Sequence, residues 1–252
     1  MSELVFDRVS VRFGGHPAVD DASLVVRPGT TLGLVGESGS GKSTLARVAV
    51  GLERAAGGAV RLDGAALTRR TRRRVQLVFQ DPLAALDPRM PVGTSVAEGL
   101  LATGRRWSGP ERQARVRQLL ELVHIDPDRA GERPDRFSGG QRQRITIARA
   151  LAAEPAVLIA DEITSALDVS VQGVVLNLLR ELRTDLNLTM LFISHNLAVV
   201  RYVADDVAVM RNGRIVENGP TETVLQDPGD PYTRELLRCI PVIGQPLDLK
   251  DA

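Results

Sequence analysis

The stretch "GESGSGKST", residues 36–44, stands between the apolar "TLGLV" (31–35) and the helix-like "LARVAVGL" (45–52). A buried strand that ends in a glycine-rich loop and restarts as a helix leaves few architectures open. The glycines let backbone N–H groups curl round an anion, and the following helix points its positive end at it. Gly36, Gly41, Lys42 and Ser43 fit G-x-x-x-x-G-K-[ST], and Ser38, Gly39, Ser40 and Thr44 complete the cradle. Lys42 is placed to reach β- and γ-phosphates, and the Ser43 hydroxyl to ligate Mg²⁺.

The surrounding pattern is that of an α/β protein. "VSVRF", "ASLVV" and "AVRL" make residues 1–65 mostly strand, punctuated by Pro28-Gly29 and Asp63-Gly64. "VQLVF" (75–79), "AVLIA" (156–160) and "LTMLFI" (188–193) are short and wholly apolar, as expected of parallel strands buried on both faces. Val171, Val174, Val175, Leu178, Leu179, Leu182 and Leu186 repeat at helical spacing, which predicts a core-facing stripe. Residues 83–137 carry prolines, glycines and the helical "ERQARVRQLLELV" without a buried strand, so a helical subdomain is expected there. "VAVMRNGRIVENG" predicts a hairpin turning at Asn212-Gly213, followed by short helices to about residue 240 and an extended end, "PVIGQPLDLKDA".

A phosphate loop of this kind requires an acidic strand end. "VLIADE" supplies one: Asp161 is placed to bind Mg²⁺, and Glu162 to orient or deprotonate an attacking water. Earlier in the chain, "FSGGQRQRITIARAL" (137–151) opens a helix with Ser138, Gly139, Gly140 and Gln141. Its hydroxyl and backbone N–H groups form a second anion-binding terminus.

With "SGGQ" ahead of a "DE" strand end, the sequence resembles the ATP-binding cassette (ABC) family over nearly its whole length. The resemblance implies ATP and Mg²⁺ as ligands and an ABC-type P-loop NTPase domain. Its expected parts are an α/β core with an antiparallel β region (1–82 and 141–220), a helical signature subdomain (83–140) and a C-terminal extension (221–252). It also implies a head-to-tail dimer, in which residues 138–141 serve the ATP of the partner. By the same resemblance Phe13 stacks on adenine, Gln80 senses the metal and the attacking water, and His195 contacts the γ-phosphate. Residues 165–168 then cross to the partner's site, although Asp168 or Ser170 would also serve as a helix N-cap. His16 and His124 are read as structural. Phe137 and Ile163 stand where many family members have leucine and proline, and Ile163 bears on the loop carrying Glu162.

"DPLAALDPRMPVGTSVAEGL" after Gln80 and the later "PYT-x-x-L" resemble the oligopeptide, dipeptide and nickel importers. That likeness implies transmembrane permease subunits, a second homologous ATPase (heterodimer favoured, homodimer the alternative) and, indirectly, an extracytoplasmic binding protein. The expected location is peripheral, on the cytoplasmic face of the membrane. Peptide is the expected cargo, with nickel or another small solute as alternatives. A non-catalytic ATP-binding clamp and a soluble cassette of nucleic-acid metabolism are the rival readings.

Composition bears on these rivals. The chain has 32 basic and 31 acidic residues, a formal net charge of +1, so its overall balance gives no reason to expect nucleic acid. "TRRTRRR" (68–74) reads as a solvated face, and neither a long coiled-coil insertion nor a second cassette is present. The single cysteine, Cys239, forms no internal disulfide, and an iron–sulfur cluster held by this chain alone is not expected. The start lacks a signal-peptide pattern, and no apolar run reaches spanning length.

Overall fold

The short apolar runs do pair as parallel strands, and their alternation sorts the core into two layers. The structure, a computed structural model, describes residues 2–238. The expected extended end and Cys239 lie outside the described residues. In chain order the first half comprises β1 (Leu4–Phe13), β2 (His16–Val26), β3 (Thr31–Val35), α1 (Lys42–Val50), β4 (Gly57–Leu62), β5 (Ala65–Ala66), α2 (Arg69–Arg72) and β6 (Val75–Val78). Between β6 and the next strand stand only helices, α3 (Pro82–Ala85), α4 (Val92–Gly99), α5 (Gly109–Leu122) and α6 (Gly139–Ala152), with short 3₁₀ turns. There follow β7 (Val157–Asp161), α7 (Val169–Leu186), β8 (Thr189–Ile193), α8 (Leu197–Val203), β9 (Asp206–Arg211), β10 (Arg214–Pro220), α9 (Thr221–Gln226) and α10 (Pro231–Arg238).

Two sheets result. One is antiparallel, in the order β2-β1-β4-β5; the other has the order β10-β9-β3-β8-β7-β6. In the second sheet β9, β3, β8, β7 and β6 run parallel, and β10 folds back antiparallel on β9. That hairpin turns at Asn212 and Gly213, with φ of 48° and 81°, the paired positive values a two-residue turn between twisted strands requires.

Successive residues of the parallel strands face opposite layers, as the pleat dictates. Val157, Ile159, Leu191 and Ile193 pack with Leu45 and Ala49 of α1 and with Leu4 and Phe6 of the antiparallel sheet. Leu158, Ala160, Met190 and Phe192 face the other way, against Leu178, Leu179 and Leu182 of α7 and Ile145 of α6. The second layer continues without a break into Val96 of α4 and Leu119 and Leu120 of α5. The helices between β6 and β7 therefore share one hydrophobic cluster with the sheet.

The stripe expected on α7 needs correcting at its edges. Val175, Leu178, Leu179 and Leu182 are buried, but Val174 and Leu186 are 49% and 45% exposed, Val171 is half-buried, and Leu176 is buried instead. At about 100° per residue, Val174 falls outside the arc that runs from Leu178 to Leu176. Leu186 is the last residue of the helix, where the chain already turns at Asn187 (φ 53°) towards β8.

Candidate functional site

Open α/β sheets present their ligand sites at the carboxyl ends of the strands. Here Ile193 is in register with both Leu34 and Asp161, so β3, β8 and β7 end level with one another. At and just beyond these three ends stand Gly36–Gly41, Asp161–Glu162 and His195.

The phosphate loop is held close to its neighbours. A Cβ on Gly36 (φ 150°) would lie 2.0 Å from the Met210 carbonyl oxygen, and one on Gly41 (φ 106°) 2.4 Å from that of Ala18. The Ser40 carbonyl accepts a bond from the Gly213 N–H (2.9 Å), which ties the loop to the β9–β10 turn. Lys42 opens α1 and is buried, with Nζ donating to the carbonyls of Gly36 (2.8 Å) and Glu37 (2.7 Å) and to Ser40 Oγ (3.3 Å). Burial pushes its pKa down, opposed by the carboxylates of Glu162, Asp161 and Glu37.

Ser43, one residue on, donates from Oγ to Asp161 Oδ1 at 3.0 Å. Asp161 is buried, and burial pushes its carboxyl above the usual carboxylate range, with the Ser43 hydrogen bond acting in the opposite sense. Glu162 follows with φ 49°, a left-handed backbone that costs a non-glycine residue about 1–3 kcal/mol unless its surroundings enforce it. The enforcing contact is its N–H, which donates to the Ile193 carbonyl (3.0 Å). That turn directs the carboxylate at His195, whose Nδ1 lies 3.5 Å from Glu162 Oε1.

Gln80 joins the same constellation through a serine. Its Nε2 donates to Ser165 Oγ (3.0 Å), which in turn donates to the Glu162 carbonyl (2.8 Å). Lys42, Ser43, Gln80, Asp161, Glu162 and His195 are thus brought together from four separate stretches of sequence. Sequence reasoning assigned Ser165 to a crossing loop and missed its bond to Gln80. Tyr232, the tyrosine of the PYT-x-x-L element, accepts from the Glu37 N–H, a contact with the loop that sequence reasoning missed.

Phe13 and residues 138–141 take no part in this network among the described residues. Phe13 ends β1 at the tip of the first hairpin and is 48% exposed. Ser138 caps α6 in a reciprocal box: its Oγ accepts from Gln141 N–H (3.3 Å), and its N–H donates to Gln141 Oε1 (2.9 Å). Gly140 has a packing reason as well, since a Cβ there would lie 2.1 Å from Val171 Cγ1 in the first turn of α7. Asp168 is the α7 cap, accepting from Val171 N–H (2.9 Å), with Ser170 Oγ donating to it (2.6 Å). Phe137 is buried beneath the Arg129 guanidinium, 4.2 Å from the ring centroid, and Ile163 is buried too.

A family model described as ABC transporter matches residues 19–165, which include the phosphate loop, residues 138–141 and the Asp161–Glu162 strand end. The chain belongs to the ABC transporter family. A putative peptide import ATP-binding protein of Brucella abortus (strain 2308) is 52% identical over 232 residues, covering 89% of this chain and 69% of that protein. The glutathione import ATP-binding protein of Escherichia coli (strain K12) is 48% identical over 232 residues, again 89% of this chain but 37% of that protein.

Solved cassettes superpose closely. CbiO1 from Clostridium perfringens, part of the ABC transporter complex CbiONQ, gives a TM-score of 0.80 at 27% identity, covering 89% of this chain and 90% of that one. A cassette solved as a dimer in a post-hydrolysis state with ADP and Pi gives 0.76 at 27% identity, covering 86% of this chain and 98% of that one. The chain is an ABC-type ATPase.

The donor set suits a hard cation that arrives with phosphates. Mg²⁺ is commonly held by one or two protein oxygens, substrate phosphate oxygens and water, and Ser43 Oγ beside Asp161 Oδ1 offers such a pair. Among the described residues no group of three or more His, Cys, Asp or Glu side chains is placed to hold a metal by itself.

Proposed function

We propose that this cassette is the ATP-binding and ATP-hydrolysing subunit of a peptide importer, acting as one of two cassettes beneath transmembrane permease subunits. The single observation that carries the reading is the hydrogen-bonded constellation at the level ends of β3, β8 and β7. Peptide as cargo is supported by the 52% identity to a putative peptide import protein. Among the described residues no helix is long and apolar enough to cross a membrane, which suits a subunit that works through permease partners on the cytoplasmic face.

In this reading Lys42 and the loop N–H groups bind the β- and γ-phosphates, and Ser43 and Asp161 hold the metal, with Gln80 beside it. Mg²⁺, when bound, supplies charge neutralisation on the phosphate oxygens. Glu162 accepts a proton from the attacking water, and the nearby His195 stabilises charge developing on the γ-phosphate. Phosphoryl transfer needs little covalent help, so positioning and electrostatics supply the acceleration. Phe13 provides a partly exposed ring for adenine.

Residues 138–141 stand outside this chain's own constellation. Their exposed helix terminus suits the γ-phosphate of an ATP held by a second cassette, and a dimer among the solved relatives supports that arrangement. The second cassette is a different, homologous chain or a further copy of this one, with the heterodimer favoured.

The test is ATP hydrolysis by the assembled transporter carrying Glu162→Gln. Loss of the general base lowers turnover by about a hundredfold or more while ATP still binds. Equal turnover by wild type and variant would remove Glu162 from the mechanism and leave this cassette as a binding clamp.

A further inference from the structure

The last described helix reaches back to the first functional loop. Tyr232, the second residue of α10, is 1% exposed, and its phenolic oxygen accepts a hydrogen bond from the Glu37 N–H at 3.0 Å. Glu37 is the second residue of the phosphate loop, and its carbonyl is the acceptor of the 2.7 Å bond from Lys42 Nζ. Both backbone polar groups of Glu37 are therefore engaged, one by the loop's own lysine and one by a residue 195 positions away. We propose that Tyr232 is a positioning residue for nucleotide binding, pinning the entry of the phosphate loop so that its N–H cradle is preformed before ATP arrives.

The inference rests on reading residues 36–44 as the ATP-binding loop. Three features make the contact a built one. The Arg211 guanidinium, at the end of β9, lies over the Tyr232 ring at 4.5 Å from its centroid. Its neighbour Met210 is the residue whose carbonyl crowds Gly36, so tyrosine and loop are packed against the same strand end. The segment before α10 is clipped to β10, because Glu217 accepts from the N–H groups of Gly229 (2.7 Å) and Asp230 (3.1 Å). Asp230 in turn accepts from the Tyr232 N–H (2.8 Å), which fixes the direction of the ring.

A loop N–H left without its acceptor draws the backbone towards other turn conformations. ATP must then reorder the loop as it binds, and the ordering appears as lost affinity. The interaction is the same in ground and transition states, so its loss raises KM and leaves kcat alone. A ring that merely filled the core would behave differently. Its loss would lower thermal stability and the active fraction without a selective effect on ATP affinity.

The experiment uses the full chain with its transporter partners and compares wild type with Tyr232→Phe, which keeps the stacked ring and deletes only the acceptor. Steady-state hydrolysis gives KM and kcat, equilibrium titration with Mg-ATP at low temperature gives Kd, and nucleotide-free melting gives Tm. Expected for Tyr232→Phe are KM and Kd raised about tenfold, equivalent to a lost backbone hydrogen bond of ~1.4 kcal/mol, with kcat within about twofold. Glu217→Ala, which unclips the segment without touching the loop, raises KM in the same direction. Unchanged KM and Kd in Tyr232→Phe, or a loss confined to kcat and Tm, overturns the inference. Wild type that binds no ATP overturns the phosphate-loop reading itself, before any variant is compared.

Discussion

Asp161→Asn separates the chemistry of the site from its contribution to the fold, because the two effects have opposite signs. The carboxyl of Asp161 is held above its ordinary range by burial, so the folded chain favours the charged form less than the unfolded chain does. A group of this kind contributes stability that is complete below its unfolded pKa and lost as pH rises through the folded one. At pH 7 the charge is therefore a liability to the nucleotide-free protein. Asparagine keeps the oxygen that accepts from Ser43 Oγ at 3.0 Å and discards the charge. The nucleotide-free melting temperature of the variant is expected to equal or exceed that of wild type at pH 7, and the gap to close as pH falls towards the carboxyl range.

The opposite sign appears when ligand is added. With Mg-ATP at a hundred times its Kd, binding stabilises the wild-type fold by about 2.7 kcal/mol. At ~2–4 °C per kcal/mol for a domain of this size, that is a rise of about 5–11 °C. In Asp161→Asn the Mg²⁺-dependent part of the rise disappears, because a neutral amide is a poor partner for a hard cation. Differential scanning fluorimetry with ATP, with and without Mg²⁺, reads both effects in one plate. A nucleotide-free variant that melts several degrees below wild type would refute the burial argument. A variant that keeps the full Mg²⁺ increment would refute Asp161 as a metal ligand.

Two further outcomes follow from close contacts. Gly140→Ala drives a Cβ to 2.1 Å from Val171 Cγ1, and a β-branched side chain in a helix has little rotamer freedom to retreat. A loss of about 1–2 kcal/mol is expected in urea denaturation, recovered when Val171→Ala is added; a single variant as stable as wild type would refute it. Ser165→Ala removes the hydroxyl that joins Gln80 to the Glu162 carbonyl, at 3.0 and 2.8 Å. Turnover is expected to fall about fivefold, the equivalent of one hydrogen bond of ~1 kcal/mol, with ATP affinity preserved; unchanged turnover would make the bridge incidental.

The sequence was most legible where the pattern is local. A glycine-rich loop between strand and helix, three apolar runs and an Asn-Gly turn each announce an element from a handful of neighbouring residues. Reading Gln80 and His195 required the family resemblance, because a polar residue after an apolar run is on its own only a strand end. What stayed hidden was contact between distant stretches. Nothing at Ser165 signals that its hydroxyl accepts from Gln80, and nothing at Tyr232 signals a bond to Glu37. The α7 stripe shows a related limit, since helical spacing identifies a face but not the arc that neighbouring elements cover. Val174 keeps the spacing and stands in solvent.

Lys42 holds the loop that leads into its own helix. An ammonium group has three donors, and Lys42 spends all three on Gly36, Glu37 and Ser40. Under the proposed function, a phosphate oxygen takes one of these bonds in place of a loop acceptor. The exchange is favourable because a charge-assisted bond to phosphate is stronger than a bond to a neutral carbonyl or hydroxyl. Burial meanwhile pushes Lys42 down and Asp161 up, each towards its neutral form. In the same reading phosphates would offer the lysine a countercharge and a metal would offer one to the aspartate, each opposing the effect of burial. Lys42 thus ties the end of the loop back to its start through the carbonyls of Gly36 and Glu37.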